Sequence, residues 1–304
     1  MFIEEFLQDL RRERFTPAAA ALYLRRAGGR VRECLVANPG AVRSLWTLAL
    51  IFFAVAFAGS AALALADDRH LAYALFGWTA LAILVTFGLV TLHLDLLRDT
   101  GGYRLSAVNL PIALTLLRVT LLPAIVIFLV RRRDALALGC FLAAAFSDVL
   151  DGWIARRSKQ VTQLGTVLDP IVDIVFNLVL VLGLTRAALL PGWVAAAAAL
   201  RYGILIGGGI YLYVFVGPVR IRPTLFGRLS GVVMAALAAF LVLLAALDGH
   251  AAERLVPLTQ VALGVLLAAT VVHVVALGWY NLRVLSGEVA ARGRVVGDVR
   301  WGPR

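Results

Sequence analysis

Four aspartates in one short stretch carry most of the chemical information in this chain: Asp148, Asp151, Asp169 and Asp173, within SDVLDGWIARRSKQVTQLGTVLDPIVD. The first two are spaced i, i+3 and the second two i, i+4, so on helices each pair shares a face. Carboxylates set this close together repel one another unless a cation neutralises them. Hard oxygen ligands with no nearby His or Cys favour Mg²⁺ or Mn²⁺. Four carboxylates from two helices suffice for two ions. Gly152 and Ala155 lie i+4 and i+7 from Asp148, and Gly165 lies i−4 from Asp169. Bare backbone beside such a site leaves room for a flat or bulky ligand. Metals that bridge phosphate oxygens are the usual reason for this arrangement, and Arg156 can add a charge-assisted bond to a phosphate.

The elements that position these residues follow from composition. Of 304 residues, 62% are apolar and 15% charged, against about 45–50% and 25% in soluble domains. Mean hydropathy is +0.90. Those values exclude a disordered chain, a collagen, a disulfide scaffold and an ordinary soluble domain. Runs of about 20 apolar residues are long enough to cross a bilayer. Eight stretches qualify: Leu45–Ala66, Leu71–Leu92, Leu110–Val130, Ala135–Leu150, Asp169–Leu190, Trp193–Val216, Leu229–Leu247 and Leu255–Leu282. The expected fold class is an all-α integral membrane protein with about eight transmembrane helices. All four aspartates then fall at adjoining ends of the fourth and fifth spans, joined by a short basic loop.

Net charge is +11, from 29 basic residues of which one, Lys159, is lysine. A pI near 10.7 could suggest nucleic acid, but in a membrane chain basic loops held on the cytoplasmic side are the simpler source. With both termini cytoplasmic, 21 basic residues fall in inner segments and six in outer loops. The triplet Arg131–Arg133 is the exception. The expected setting is therefore a bacterial inner membrane, with the acidic cluster and both termini on the cytoplasmic side and no nucleic-acid partner. Residues 1–44 are polar and basic with apolar residues at helical spacing, which fits a helix on an anionic membrane surface or a small cytosolic helical pair. Neither Cys34 nor Cys140 has a metal or redox spacing.

The pattern Asp148-x2-Asp151-Gly152-x2-Ala155-Arg156-x8-Gly165-x3-Asp169-x3-Asp173 resembles the signature of the CDP-alcohol phosphatidyltransferases, with all eight fixed positions matched over 26 residues. Asn109-Leu-Pro111-Ile-Ala-Leu114-Thr115-Leu-Leu-Arg118 resembles the first core helix of that family. The resemblance covers about residues 105–285. It implies a six-helix core (99–290) and leaves outside it a cytoplasmic or interfacial segment (1–44), two additional spans (45–98) and a cytoplasmic tail (291–304). It further implies that Asp148, Asp151, Asp169 and Asp173 are metal ligands and that Asp173 is also the general base. Gly152, Arg156 and Thr162 would hold the nucleotide and diphosphate, with Ala155 and Gly165 beside them. Pro111, Ile112, Ala113 and Leu114 would line the CDP-lipid site. The implied reaction moves a phosphatidyl or phospho-alcohol group from a CDP-alcohol, CDP-diacylglycerol above all, to a small acceptor alcohol and releases CMP, in phospholipid biosynthesis. Members are commonly homodimers.

Arg118 and Arg201 are lone arginines within apolar spans and so candidates for function. Arg220 and Arg228 lie in a segment resembling a family loop that ends in Gly-Lys, with Arg228 in place of the lysine. Guanidiniums beside a metal site suit an anionic acceptor such as a phosphorylated polyol, and these four are the candidate acceptor ligands. Asp169-Pro170 resembles the phosphatidylglycerophosphate synthase branch, but Ile174 stands where that branch commonly has Lys. Glycerol phosphate, inositol phosphate, inositol, serine and an amino alcohol all remain open. Asn177 could reach the site or simply hold helices together, while His93 and His273 read more simply as structural residues. A divalent-cation transporter or channel is the rival function, since intramembrane acids also mark ion paths; an inactive assembly partner is a third.

Overall fold

The computed structural model describes residues 16–66, 68–158, 160–211, 225–247 and 250–292. Among them are nine α-helices: α1 (Pro17–Ala37), α2 (Pro39–Ala66), α3 (Arg69–Leu92), α4 (Leu110–Val130), α5 (Asp134–Arg157), α6 (Gln163–Arg186), α7 (Gly192–Tyr211), α8 (Leu225–Ala246) and α9 (His250–Arg292). The described residues form no strands. Eight of the helices, α2 to α9, contain a stretch long and apolar enough to cross a bilayer. Large apolar side chains face outward along them, among them Leu50, Val55 and Phe57 on α2 and Leu84 on α3. In water such continuous apolar surface would drive association; against lipid it is ordinary. The protein is an integral membrane protein.

Helix ends follow local chemistry rather than hydropathy. Asn109 caps α4 by accepting from the Ile112 amide, with Pro111 in the first turn, where a missing N–H costs nothing. Asp68 caps α3 through the His70 and Leu71 amides. The expected fourth span stopped at Leu150, whereas α5 runs on to Arg157. The fifth was expected from Asp169, whereas α6 starts at Gln163 and ends at Arg186 rather than Leu190. Its N-cap is Thr162, whose hydroxyl accepts from the Gly165 amide at 3.0 Å. Both helices therefore extend past the apolar run, and all four aspartates sit inside helical turns.

Two buried clusters hold the bundle together. The larger joins α4 through α9, with Ile125, Leu129, Phe141, Leu184, Leu241 and Leu267 at its centre. The other packs Ala41, Leu45, Ile83 and Phe87 of the two N-terminal spans against Ile112 and Leu116 of α4 and Leu164 of α6. Helices α4 and α6 cross closely at Gly183, where a Cβ would stand 2.9 Å from a Val126 methyl.

The segment between α3 and α4 ties both units to the site. A tight turn at residues 99–103 has Gly102 at φ +86°, a conformation glycine adopts freely. Arg98 accepts from the Gln163 amide at 2.9 Å. From the α2 side, Asn38 donates to the Leu105 carbonyl at 2.8 Å and the Ser44 hydroxyl accepts from the Val108 amide at 2.7 Å. Gly40 lets the two backbones approach, since a Cβ there would lie 2.8 Å from the Ser106 carbonyl oxygen. The additional spans thus brace the entry into α4.

Candidate active site

The aspartates converge at the end of the bundle where α4 begins, α5 ends and α6 begins. Asp148 and Asp151 project from α5, Asp169 and Asp173 from α6. Helix α4 supplies what lies between them. The Thr115 hydroxyl is 3.1 Å from Asp151 Oδ2 and 3.2 Å from Asp169 Oδ1, so one small group touches both acidic helices. One turn on, the Arg118 guanidinium is paired with three acids. Its Nη2 meets Asp148 Oδ1 and, at 2.8 Å, Asp151 Oδ2; its Nη1 meets Asp173 Oδ1 at 2.5 Å. Asp151 is buried, while the Asp148 and Asp173 side chains are 55% and 56% exposed. The cluster is closed at one side and open at the other.

Beside it lies a small pocket lined by Pro111, Ile112, Thr115, Asp151, Gly152, Ala155, Gln160, Val161, Thr162, Gly165, Thr166 and Asp169. Its walls are the N-terminus of α4, the last turns of α5 and the capped N-terminus of α6. Pro170, lacking an N–H, removes the donor that would bind the Thr166 carbonyl within α6. Asn109 holds the connecting loop by donating to the Gln160 carbonyl at 2.8 Å. The small residues leave the space open. A Cβ at Gly152 would come within 3.1 Å of Arg156 Nη1, so the guanidinium folds over that glycine. Gly152→Leu is expected to fill the pocket and raise KM for a nucleotide-linked substrate at least about tenfold, the equivalent of ~1.4 kcal/mol. Steady-state kinetics with an unchanged unfolding temperature would show it.

The expected residues are thus distributed unevenly. Pro111, Ile112, Gly152, Ala155, Thr162 and Gly165 line the pocket with Asp151 and Asp169, and Arg156 borders it. Ala113 and Leu114 are on α4 but do not line it; Thr115 does, and the sequence reading did not single it out. The signal available was a hydroxyl three residues before an intramembrane arginine. Gln160, Val161 and Thr166 were likewise not singled out. Arg118, considered as an acceptor ligand, lies among the aspartates. Arg201 lies on α7 with its guanidinium near Met234 Sδ, at 2.9 Å, and over the Tyr202 ring at 5.1 Å. Arg220 lies outside the described residues, and Arg228 is in the first turn of α8. Asn177 bonds back to the Asp173 carbonyl of its own helix at 2.8 Å. His93 ends α3 beside an apolar groove between α3, α4 and α6, and His273 packs on Phe226.

By type the donors suit a hard divalent cation: four carboxylates and a hydroxyl, all oxygen, linked to one another through Thr115 and Arg118. Among the described residues no three carboxylates stand ready to hold an ion together; the Arg118 guanidinium is placed where they meet.

A family model for CDP-alcohol phosphatidyltransferase matches residues 108–283, more than half of the chain and all of the acidic site. Among curated relatives, a human cardiolipin synthase (CMP-forming) is 36% identical over 84 residues, 27% of this chain and 28% of its own. The Streptomyces coelicolor cardiolipin synthase (CMP-forming) is 37% identical over 73 residues, 24% of this chain and 34% of its own. A CDP-diacylglycerol--glycerol-3-phosphate 3-phosphatidyltransferase of Aquifex aeolicus is 39% identical over 69 residues, 23% of this chain and 39% of its own. The chain thus spans well under half the length of these relatives. No solved structure matches it. With its match to the family model over more than half of its length, the chain belongs to the CDP-alcohol phosphatidyltransferase family.

Proposed function

We infer that the protein transfers a phosphatidyl group from CDP-diacylglycerol, or a phospho-alcohol group from another CDP-alcohol, to a small acceptor alcohol and releases CMP. The observation that carries this reading is the gathering of four aspartates, from two helices, around Thr115 and Arg118, with Asp151 and Asp169 lining a pocket floored by glycines. The relatives named as cardiolipin and glycerophosphate transferases support a lipid donor and a hydroxyl acceptor.

In this reading Asp148, Asp151, Asp169 and Asp173 would hold two divalent cations, Mg²⁺ or Mn²⁺. Those cations would supply Lewis-acid stabilisation of the charge that develops on departing CMP. The chain's own residues do the rest. Gly152, Ala155 and Gly165 keep the pocket wide enough for the nucleotide. The Arg156 guanidinium favours the diphosphate. Asp173, half exposed within the acidic cluster, takes the proton of the incoming hydroxyl while the hydroxyl oxygen bonds to the alcohol-bearing phosphorus. The bond from that phosphorus to the bridging oxygen breaks, and CMP leaves with the electron pair. Most of the rate then comes from positioning and electrostatics. The 21-to-6 bias of basic residues supports a cytoplasmic site and termini in a bacterial inner membrane. Homodimerisation belongs to the same reading.

The decisive experiment supplies purified protein with CDP-diacylglycerol and a panel of acceptors: glycerol 3-phosphate, phosphatidylglycerol, inositol phosphate, inositol and serine. Expected are CMP release only with Mg²⁺ or Mn²⁺ present, and one lipid product identifiable by mass. Cation flux through proteoliposomes without CMP release would favour a transporter instead; neither activity would favour an assembly partner.

A further inference from the structure

Arg118 is costly where it stands. A charged side chain inside a membrane span is unfavourable, and this one is 4% exposed, too deep to reach water along its own stem. An arginine kept for packing alone would have its donors satisfied. Here the guanidinium reaches across two helices to three acids, and its buried Nε is left without a partner among the described residues. Nor does it finish the task of neutralisation: one positive charge faces four aspartates. The oxygens it takes are also those a divalent cation would need.

We propose that Arg118 is the resident counter-ion of the metal-free site, and that divalent cations enter by displacing it from Asp148, Asp151 and Asp173. The proposal rests on the reading of these aspartates as a cation site. Two consequences follow from the chemistry. While no cation is bound, Arg118 keeps the α5 and α6 carboxylates gathered, so the site is preassembled. Each cation must first break charge-assisted bonds, so the same residue weakens cation binding. Once displaced, the guanidinium stays charged. With two divalent ions and Arg118 the site would carry five positive charges against four negative, which suits an anionic diphosphate. Cation and nucleotide binding are then coupled, and the coupling is reciprocal.

The test uses full-length protein in detergent, stripped with chelator, and measures Mn²⁺ binding by electron paramagnetic resonance of the free ion, alongside unfolding temperature with and without Mn²⁺. Arg118→Gln is expected to bind Mn²⁺ more tightly, by roughly the 5- to 150-fold typical of coupled sites. Its metal-free unfolding temperature is expected to fall, and the rise on adding Mn²⁺ to grow. Arg118→Lys keeps the charge but not the fork, and is expected to lie between Arg118→Gln and wild type. Should Arg118→Gln not fold, tighter binding by Arg118→Lys supports displacement, and equal or weaker binding overturns it. Wild-type binding with Arg118→Gln equal or weaker overturns the counter-ion role and leaves the proposed function standing. No Mn²⁺ binding by the wild type overturns the cation reading and the displacement with it.

Discussion

Replacing Asp173 by Asn is expected to lower CMP release by about 10²–10⁴-fold, the range that general-base catalysis contributes. The substitution conserves size, and its carbonyl oxygen can still accept from Arg118 Nη1, where Asp173 Oδ1 now lies at 2.5 Å. The helix is not at risk, because Asp173 sits in the interior of α6 with its side chain half exposed. What is lost is the group that takes the proton from the acceptor hydroxyl, together with one charge of the acidic cluster. The measurement is single-turnover CMP release at saturating CDP-diacylglycerol, with circular dichroism and unfolding temperature as the check on folding. Single-turnover conditions matter, because slow product release would mask a chemical defect in steady-state rates. Turnover at the wild-type rate would remove Asp173 from the role of base and leave the other three aspartates to account for the chemistry.

The chain shows where one-dimensional reasoning works and where it stops. The bounds of α4, Leu110–Val130, were legible because both ends are punctuated locally: Asn109 caps the start, and Arg131–Arg133 closes the end with Arg132 at φ +57°. The adjoining ends of α5 and α6 were less so. Hydropathy registers where charge begins, and charge begins at Asp148, while the backbone continues to form hydrogen bonds to Arg157. The start of α6 was signalled by Thr162 rather than by the first apolar residue. Spacing on a single helix placed Asp148 with Asp151 and Asp169 with Asp173 on shared faces, and the structure brings those faces together. The resemblance brought the start of α4 to the site, but not the contacts by which it closes the acidic cluster. Thr115 and Arg118 share a face of α4, but only the packing of α4 against both α5 and α6 makes them partners of the acids. The bracing of the α4 entry by Asn38 and Ser44, more than 60 residues upstream, was equally invisible.

Burial divides the two α5 carboxylates, and that division predicts unequal stability effects for one and the same loss of activity. Asp151 is buried, with Oδ2 bonded to both Arg118 Nη2 and Thr115. Asp151→Ala would leave a buried guanidinium short of a partner and a buried hydroxyl with one acid fewer. The expected cost is about 1–3 kcal/mol, the desolvation penalty of groups left unsatisfied. Asp148 pairs with the same nitrogen from a half-exposed position, where water can replace the lost carboxylate. Asp148→Ala is therefore expected to cost less than about 1 kcal/mol. Both substitutions remove a carboxylate from the proposed cation site, so both are expected to abolish divalent-dependent CMP release. Thermal unfolding of the two variants in chelator, beside their turnover with Mg²⁺, separates the effects. Equal destabilisation would mean that Asp148 is as dehydrated as Asp151. Full activity in either variant would mean that the cation is held without that carboxylate. If activity is lost in both and stability in one alone, Asp151 combines a structural duty with a chemical one, and Asp148 serves the chemistry.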